Sequence, residues 1–211
     1  MNLLETTGME RIYYLADSIL RLVYVNVLFI LFTLLGLVVF GFFPALTATF
    51  YIVRKWLTGN SDIPITKNFW WFYKKELIRS NGMGWLLTLA GFLLYINLTI
   101  AEVINHPIIQ LSYYPILSVM IFFLCFCLYV FPIYVQGHMS ILRTMRTAFT
   151  SLLYSPLKTI IMAAAVLITF IILNYIPGLI PICGISTLAL IITMGQGGDR
   201  LFVPRERRIK E

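Results

Sequence analysis

The sequence predicts an all-α fold: a polytopic membrane helix bundle of five full spans plus one short returning or re-entrant helix, with interfacial amphipathic helices. Three observations predict it. Hydrophobic residues fill 60% of the 211 positions and charged residues only 12%, with a mean hydropathy of +0.88, whereas an average soluble domain carries about 25% charge. Uncharged runs of 20 residues or more recur along the chain, and about 20 apolar residues suffice to cross a bilayer. The remaining charge is lopsided, with 16 Lys and Arg against 9 Asp and Glu for a net +7. In a membrane chain such an excess first reports topology. Together these exclude a cytosolic domain, a disordered tail and a disulfide scaffold. The whole chain, 1–211, reads as a single membrane domain.

The first uncharged run, Leu22 to Val53, holds 32 residues, too many for one span and too few for two. Gly41-Phe42-Phe43-Pro44 breaks it, because proline is tolerated in a helix's first turn and disrupts its interior. A first helix over about 13–42 and a short second helix over about 44–57 follow. The run Ser80 to Ala101 gives a span over about 84–104, and the next span covers about 114–135. The 40 uncharged residues from Thr159 to Gly198 are divided at Ile176-Pro177-Gly178-Leu179-Ile180-Pro181 into spans over about 159–175 and 182–196. Two segments between spans, about 66–80 and 140–154, mix aromatic and basic residues and read as interfacial helices. Leu77-Ile78-Arg79-Ser80-Asn81 aligns with Leu152-Leu153-Tyr154-Ser155-Pro156, each ahead of a span, which suggests a repeated unit of interfacial helix, span, turn and span.

With a returning second helix, all 16 basic residues fall on one side. The positive-inside rule makes that side the cytoplasm and places both termini there. Five crossings would strand Arg11 and Arg21 outside. No cleavable signal peptide is evident, so the first helix is expected to stay. The expected location is the cell (plasma) membrane.

Chemistry-bearing motifs are scarce. Neither a G-x-S-x-G, an H-E-x-x-H nor a Walker A lysine occurs, and the three cysteines form no C-x-x-C. No catalytic residue, metal site or cofactor is expected, and the protein is read as not an enzyme. Gly195-Gln196-Gly197-Gly198 reads as a helix-ending turn. Asp17 and Arg21, four apart, share a helix face and can pair. Asn26 lies deeper in the run and needs a partner on a neighbouring helix. Asn97 and Asn174 are the other intramembrane amides, read as interhelical glue. The alternative is a polar path along Asn26, Thr33, Asn97 and Asn174, as a small transporter or channel would need. Glu102 and His106 fall on the outer turn. The densest constellation is basic and aromatic. It joins Arg54-Lys55-Trp56 to Tyr73, Lys74 and Lys75 of segment 66–80, with Arg143, Arg146 and the tail Arg205-x-Arg207-Arg208-x-Lys210 behind them. Anionic lipid attracts each such cation by about 1 kcal/mol, so an anionic inner leaflet is the expected partner and nucleic acid is not.

Ala16-Asp17, Arg21-Leu22-x-Tyr24-x-Asn26 and Leu34-Leu35-Gly36-Leu37-Val38-Val39-Phe40-Gly41-x-Phe43-Pro44-Ala45 resemble the YesL-like family of bacterial membrane proteins. Arg54-Lys55-Trp56-Leu57, Asp62-Ile63-Pro64 and Phe69 through Tyr73-Lys74-Lys75-Glu76 to Ser80-Asn81 continue the likeness over about the first 85 residues. The resemblance implies a family without an established activity, often encoded beside multicomponent sugar importers. It therefore implies an accessory role to a carbohydrate (oligosaccharide) ABC importer, with permease subunits or a second copy of the chain as candidate partners. It carries over no catalytic residue.

Overall fold

The computed structural model describes residues 3–60, 63–103, 111–137 and 140–196, with the side chains of 3–15 left aside. Seven helices make up the described residues: α1 Leu3–Leu35, α2 Phe42–Leu57, α3 Ile65–Val103, α4 Tyr113–Gly137, α5 Ile141–Tyr154, α6 Pro156–Tyr175 and α7 Leu179–Gly195. Four segments are long and apolar enough to cross a membrane: Ala16–Leu35 of α1, and α3, α4 and α6. The chain is a multi-pass membrane protein. At 17 residues α7 is shorter, and at 16 residues α2 rises only ~24 Å against a hydrocarbon core of about 30 Å.

Short as it is, α2 lies at the centre of the bundle. It packs against α1, α3, α4 and α7, and half of its residues are buried, among them Ala45, Thr47, Ala48 and Thr49. Small residues let neighbouring backbones approach in a setting where apolar burial gives no net drive between helices. Thr47 and Thr49 donate their hydroxyls to Pro44 O and Ala45 O of their own helix, which satisfies them without a polar neighbour. The helix ends on a Schellman motif. Gly59, at φ +90°, turns the chain while Asn60 N–H reaches Lys55 O and Gly59 N–H reaches Trp56 O.

The structure corrects five boundaries, the first being the start of α1 at Leu3 instead of about 13. Helix α1 stops at Leu35, not near 42, and residues 36–41 form a turn in which Leu37 and Val38 take φ +56° and +64°. Non-glycine residues, and β-branched ones above all, resist that conformation, so hydropathy cannot signal it. Pro44 then falls in the first turn of α2, where its missing N–H is tolerated. Segment 66–80 and span 84–104 are one continuous helix, α3, of 39 residues and ~58 Å, because Gly82 and Gly84 weaken a helix without ending it. The second interfacial segment is a separate helix, α5, broken from α6 at Ser155 (φ −132°, ψ 61°) ahead of Pro156. So α6 begins at Pro156 instead of 159, and the two proposed units differ at their junction. Finally, α7 begins at Leu179 rather than 182, with Pro181 held in its first turn.

Helix α3 orders the N-terminal half. Contacts 24/66, 32/73 and 40/81 run in step, so α1 and the turn lie parallel to the first half of α3. Contacts 43/84 and 51/72 return α2 antiparallel. The α1–α2 hairpin therefore ends level with Asn81, and α3 continues to Val103.

Candidate functional site

The hairpin turn is fixed by glycine, proline and amide side chains acting together. Gly36 and Gly41 cross so closely that a Cβ on Gly36 would strike the Gly41 backbone and lie 2.6 Å from the Tyr73 hydroxyl. Pro44 has no N–H, so its helix leaves Phe40 O without the usual donor. Asn81 of α3 supplies one, with Nδ2 2.8 Å from Phe40 O and 2.8 Å from Leu77 O of its own helix. Tyr73 donates its hydroxyl to Phe32 O at 3.2 Å.

The same device recurs on α4. Pro132 lies inside that helix and deprives Leu128 O of its donor. The Gln196 side-chain amide, at the end of α7, donates to Leu128 O at 3.3 Å. Asn26 of α1 makes the third latch. Its Nδ2 donates to Pro181 O at 2.7 Å and Ile180 O at 3.4 Å, while its Oδ1 accepts from the backbone N–H groups of Ile185 (3.1 Å) and Ser186 (3.3 Å). One amide thus meets both halves of a rung of α7, a way for a side chain to enter a helix ladder.

The other two intramembrane amides take no part. Asn97 and Asn174 are exposed and donate to Leu93 O and Phe170 O of their own helices. The interhelical glue expected of all three belongs to Asn26 alone among them. Thr33 is buried with its hydroxyl unpartnered, and with Asn97 and Asn174 exposed the four residues Asn26, Thr33, Asn97 and Asn174 do not line one path.

Glu76 is a residue of this site that the sequence reading does not single out. It is buried on α3 and accepts a short hydrogen bond from the Tyr134 hydroxyl of α4. The signal for it is periodicity: Phe69, Phe72, Tyr73, Glu76, Ser80, Met83 and Leu87 form the buried stripe of α3 at helical spacing. A carboxylate in such a stripe faces protein, not lipid.

Of the sequence-predicted basic residues, Lys55 at the end of α2 and Lys74 and Lys75 in the first half of α3 each lie over an aromatic ring. Lys74 Nζ sits 4.1 Å from the Trp70 ring centroid, Lys75 Nζ 4.6 Å from Trp71 and Lys55 Nζ 5.6 Å from Tyr51. Tyr51 stacks on Phe72 at 4.2 Å, which ties the two helices. Arg54, Lys55 and Trp56 are half-buried, Tyr73 is buried at 2% exposure against Phe32 of α1, and Lys74 and Lys75 are exposed. The Trp56 Nε1 atom is buried without a hydrogen-bond partner. Asp17 and Arg21 pair on α1 at 2.7 Å and stand apart from this rim. Tail residues 200–210, Asp62, His106 and His138 lie outside the described residues, as do residues 197–198 of the glycine-rich turn. Among the described residues no three His, Cys, Asp or Glu side chains gather as a metal site would need.

The family model described as "Protein of unknown function, DUF624" matches residues 22–98, the stretch that forms the hairpin and most of α3. The chain is 34% identical over 184 residues to uncharacterized protein YteU of Bacillus subtilis (strain 168), covering 86% of this chain and 82% of that protein. It is 35% identical over 176 residues to uncharacterized protein YesL of the same organism, covering 83% and 82%. To uncharacterized protein YesV it is 29% identical over 192 residues, covering 90% and 91%. No solved structure matches the chain.

Proposed function

The chain belongs to the YesL-like family of DUF624 proteins, a family of unknown function, and on that premise we propose that it is a non-enzymatic accessory protein of a carbohydrate (oligosaccharide) ABC importer, set in the cell membrane with both termini cytoplasmic. The observation that carries a docking role is the hairpin tip. Leu37, Val38, Val39 and Phe40 are apolar and all about half exposed or more, with Leu37 at 79%. Two of them hold left-handed backbone, a strain worth about 1–3 kcal/mol each that persists where surrounding structure imposes it and that clusters at functional sites. Asn81, Tyr73 and the Gly36/Gly41 crossing are what impose it here. A rigid apolar knuckle presented to the bilayer suits contact with another membrane helix. The importer as partner rests on the family resemblance. The basic rim, facing anionic inner-leaflet lipid, supports the orientation, and a reporter at the N-terminus is expected to label from the cytoplasm.

Co-purification in mild detergent tests the docking role. Permease subunits should accompany the intact chain and be lost from Leu37→Asn, since asparagine accepts the left-handed backbone but removes the apolar contact. Retention of the subunits by Leu37→Asn takes the tip out of the interface. Their reproducible absence from the intact chain, or recovery of a second copy alone, overturns the importer role.

A further inference from the structure

A polar cleft of about 250 Å³ opens where α2 ends against the last turn of α4, lined by Tyr51, Arg54, Lys55, Thr58, Asn60 and Val135. Its chemistry is one-sided. Arg54 is half-buried, and no carboxylate among the described residues pairs with it. Glu76, the buried acid of this end, takes the Tyr134 hydroxyl. A half-buried guanidinium without a counter-charge gives up hydration and receives nothing for it.

The end of α2 offers these cations only its diffuse negative dipole, because the carbonyls of Arg54, Lys55 and Trp56 are already hydrogen-bonded. Arg54 O accepts from Thr58 N–H, Lys55 O from Asn60 N–H and Trp56 O from Gly59 N–H, and the Thr58 hydroxyl lies within hydrogen-bond distance of both Arg54 O and Lys55 O. The lining thus brings together an arginine, a lysine and an asparagine beside Tyr51, Thr58 and Val135, with the last turn locked by Gly59. At ~30 Å³ per water the cleft has room for about eight, enough for a tetrahedral oxyanion and its hydration.

We propose that this cleft binds a phosphate group, with Arg54 as the bidentate donor and Lys55 and Asn60 completing the contacts. A planar carboxylate offers two oxygens, and a phosphate offers a third to the ammonium while still matching the arginine fork. The group has two possible sources, an anionic lipid headgroup or a free phosphate. The proposal goes beyond the docking role: failure to co-purify a permease leaves the cleft as it is, and phosphate binding says nothing about an importer.

The test uses the full chain in nanodiscs of phosphatidylcholine alone, titrated with inorganic phosphate, and in nanodiscs containing phosphatidylglycerol, with retained lipid counted by native mass spectrometry. Arg54→Gln is expected to weaken binding at least about tenfold, the effect of losing one charge-assisted contact. Lys55→Gln, at the rim, is expected to weaken it about threefold and serves if Arg54→Gln does not fold. Lys67→Gln, on another surface, should leave binding unchanged. Because Asp62 follows Asn60 closely in the chain, Asp62→Asn should leave binding unchanged or tighten it. Phosphate binding in phosphatidylcholine discs identifies a free ligand, and retention of phosphatidylglycerol that phosphate does not displace identifies the headgroup. Wild-type binding by both Arg54→Gln and Lys55→Gln, or no binding of either probe by the intact chain, overturns the proposal.

Discussion

The first half of α3 and the whole of α5 share a sequence pattern, aromatic and basic residues ahead of an apolar span, yet they end in opposite ways. Residues 65–81 run without interruption into the rest of α3, whereas α5 stops at Tyr154 and α6 starts afresh. The aligned residue at the junction is Asn81 in one and Pro156 in the other. Proline at a helix's first position has no interior N–H to lose and favours a new start. Asparagine keeps its backbone N–H, and here its side chain also fills the carbonyl that Pro44 leaves open on the hairpin. At this position one segment carries a residue that lets the helix continue and the other a residue that starts a new one.

The largest effect should come from exchanging that residue. Asn81→Pro removes a rung of α3, clashes with the preceding turn and frees Phe40 O, for about 3 kcal/mol or more. Thermal unfolding in detergent should show a collapse of the transition, and Pro156→Ala should shift it by less than a quarter as much. Equal effects would show that the two junctions are not distinguished by this residue.

Close packing separates the halves next. Gly36→Ala is expected to destabilise by up to about 3 kcal/mol because a Cβ meets backbone that cannot yield. Gly178→Ala, between α6 and α7, meets open space and should change stability by less than about 0.5 kcal/mol. A tolerated Gly36→Ala would mean that the glycine crossing does not fix the hairpin.

The amides sharpen the contrast at a smaller scale. Asn26→Leu breaks the latch between the hairpin and α7 and is expected to cost about 1–2 kcal/mol. Asn97→Leu and Asn174→Leu replace side chains bonded only within their own helices and should be neutral in the same unfolding measurement. If all three cost alike, the latch is no more than a buried amide.

These particulars show which parts of the fold are readable from sequence. Charge-bounded apolar runs mark where helices lie, and Pro177-Gly178 marks a true break. The end of α1 is not readable, because Leu37 and Val38 adopt left-handed backbone under constraints supplied by α3, about 40 residues away. Asn26, Asn97 and Asn174 are equivalent in a linear reading, and only the tertiary position of α7 selects the first. The basic rim is legible from composition, but the burial of Glu76 is legible only from the stripe it shares with Phe72 and Ser80. Arg54's want of a carboxylate partner among the described residues is a property of the assembled cleft.

The smallest effect distinguishes the cations of the two segments. Lys74 lies over Trp70 at 4.1 Å, while Arg146 of α5 is exposed and makes no such ring contact among the described residues. Either cation removed should lower retention of anionic lipid by about 1 kcal/mol, near fivefold, because the headgroup layer senses charge and not its packing. Stability should respond differently. Lys74→Gln forfeits a cation–π contact worth about 0.5 kcal/mol at an exposed site, and Arg146→Gln forfeits nothing comparable. Equal lipid losses with unequal unfolding shifts would show that the Trp70 ring belongs to the packing of α1 on α3 and the charges to the membrane. Equal shifts in both would make the two segments alike in everything but the residue at their junction.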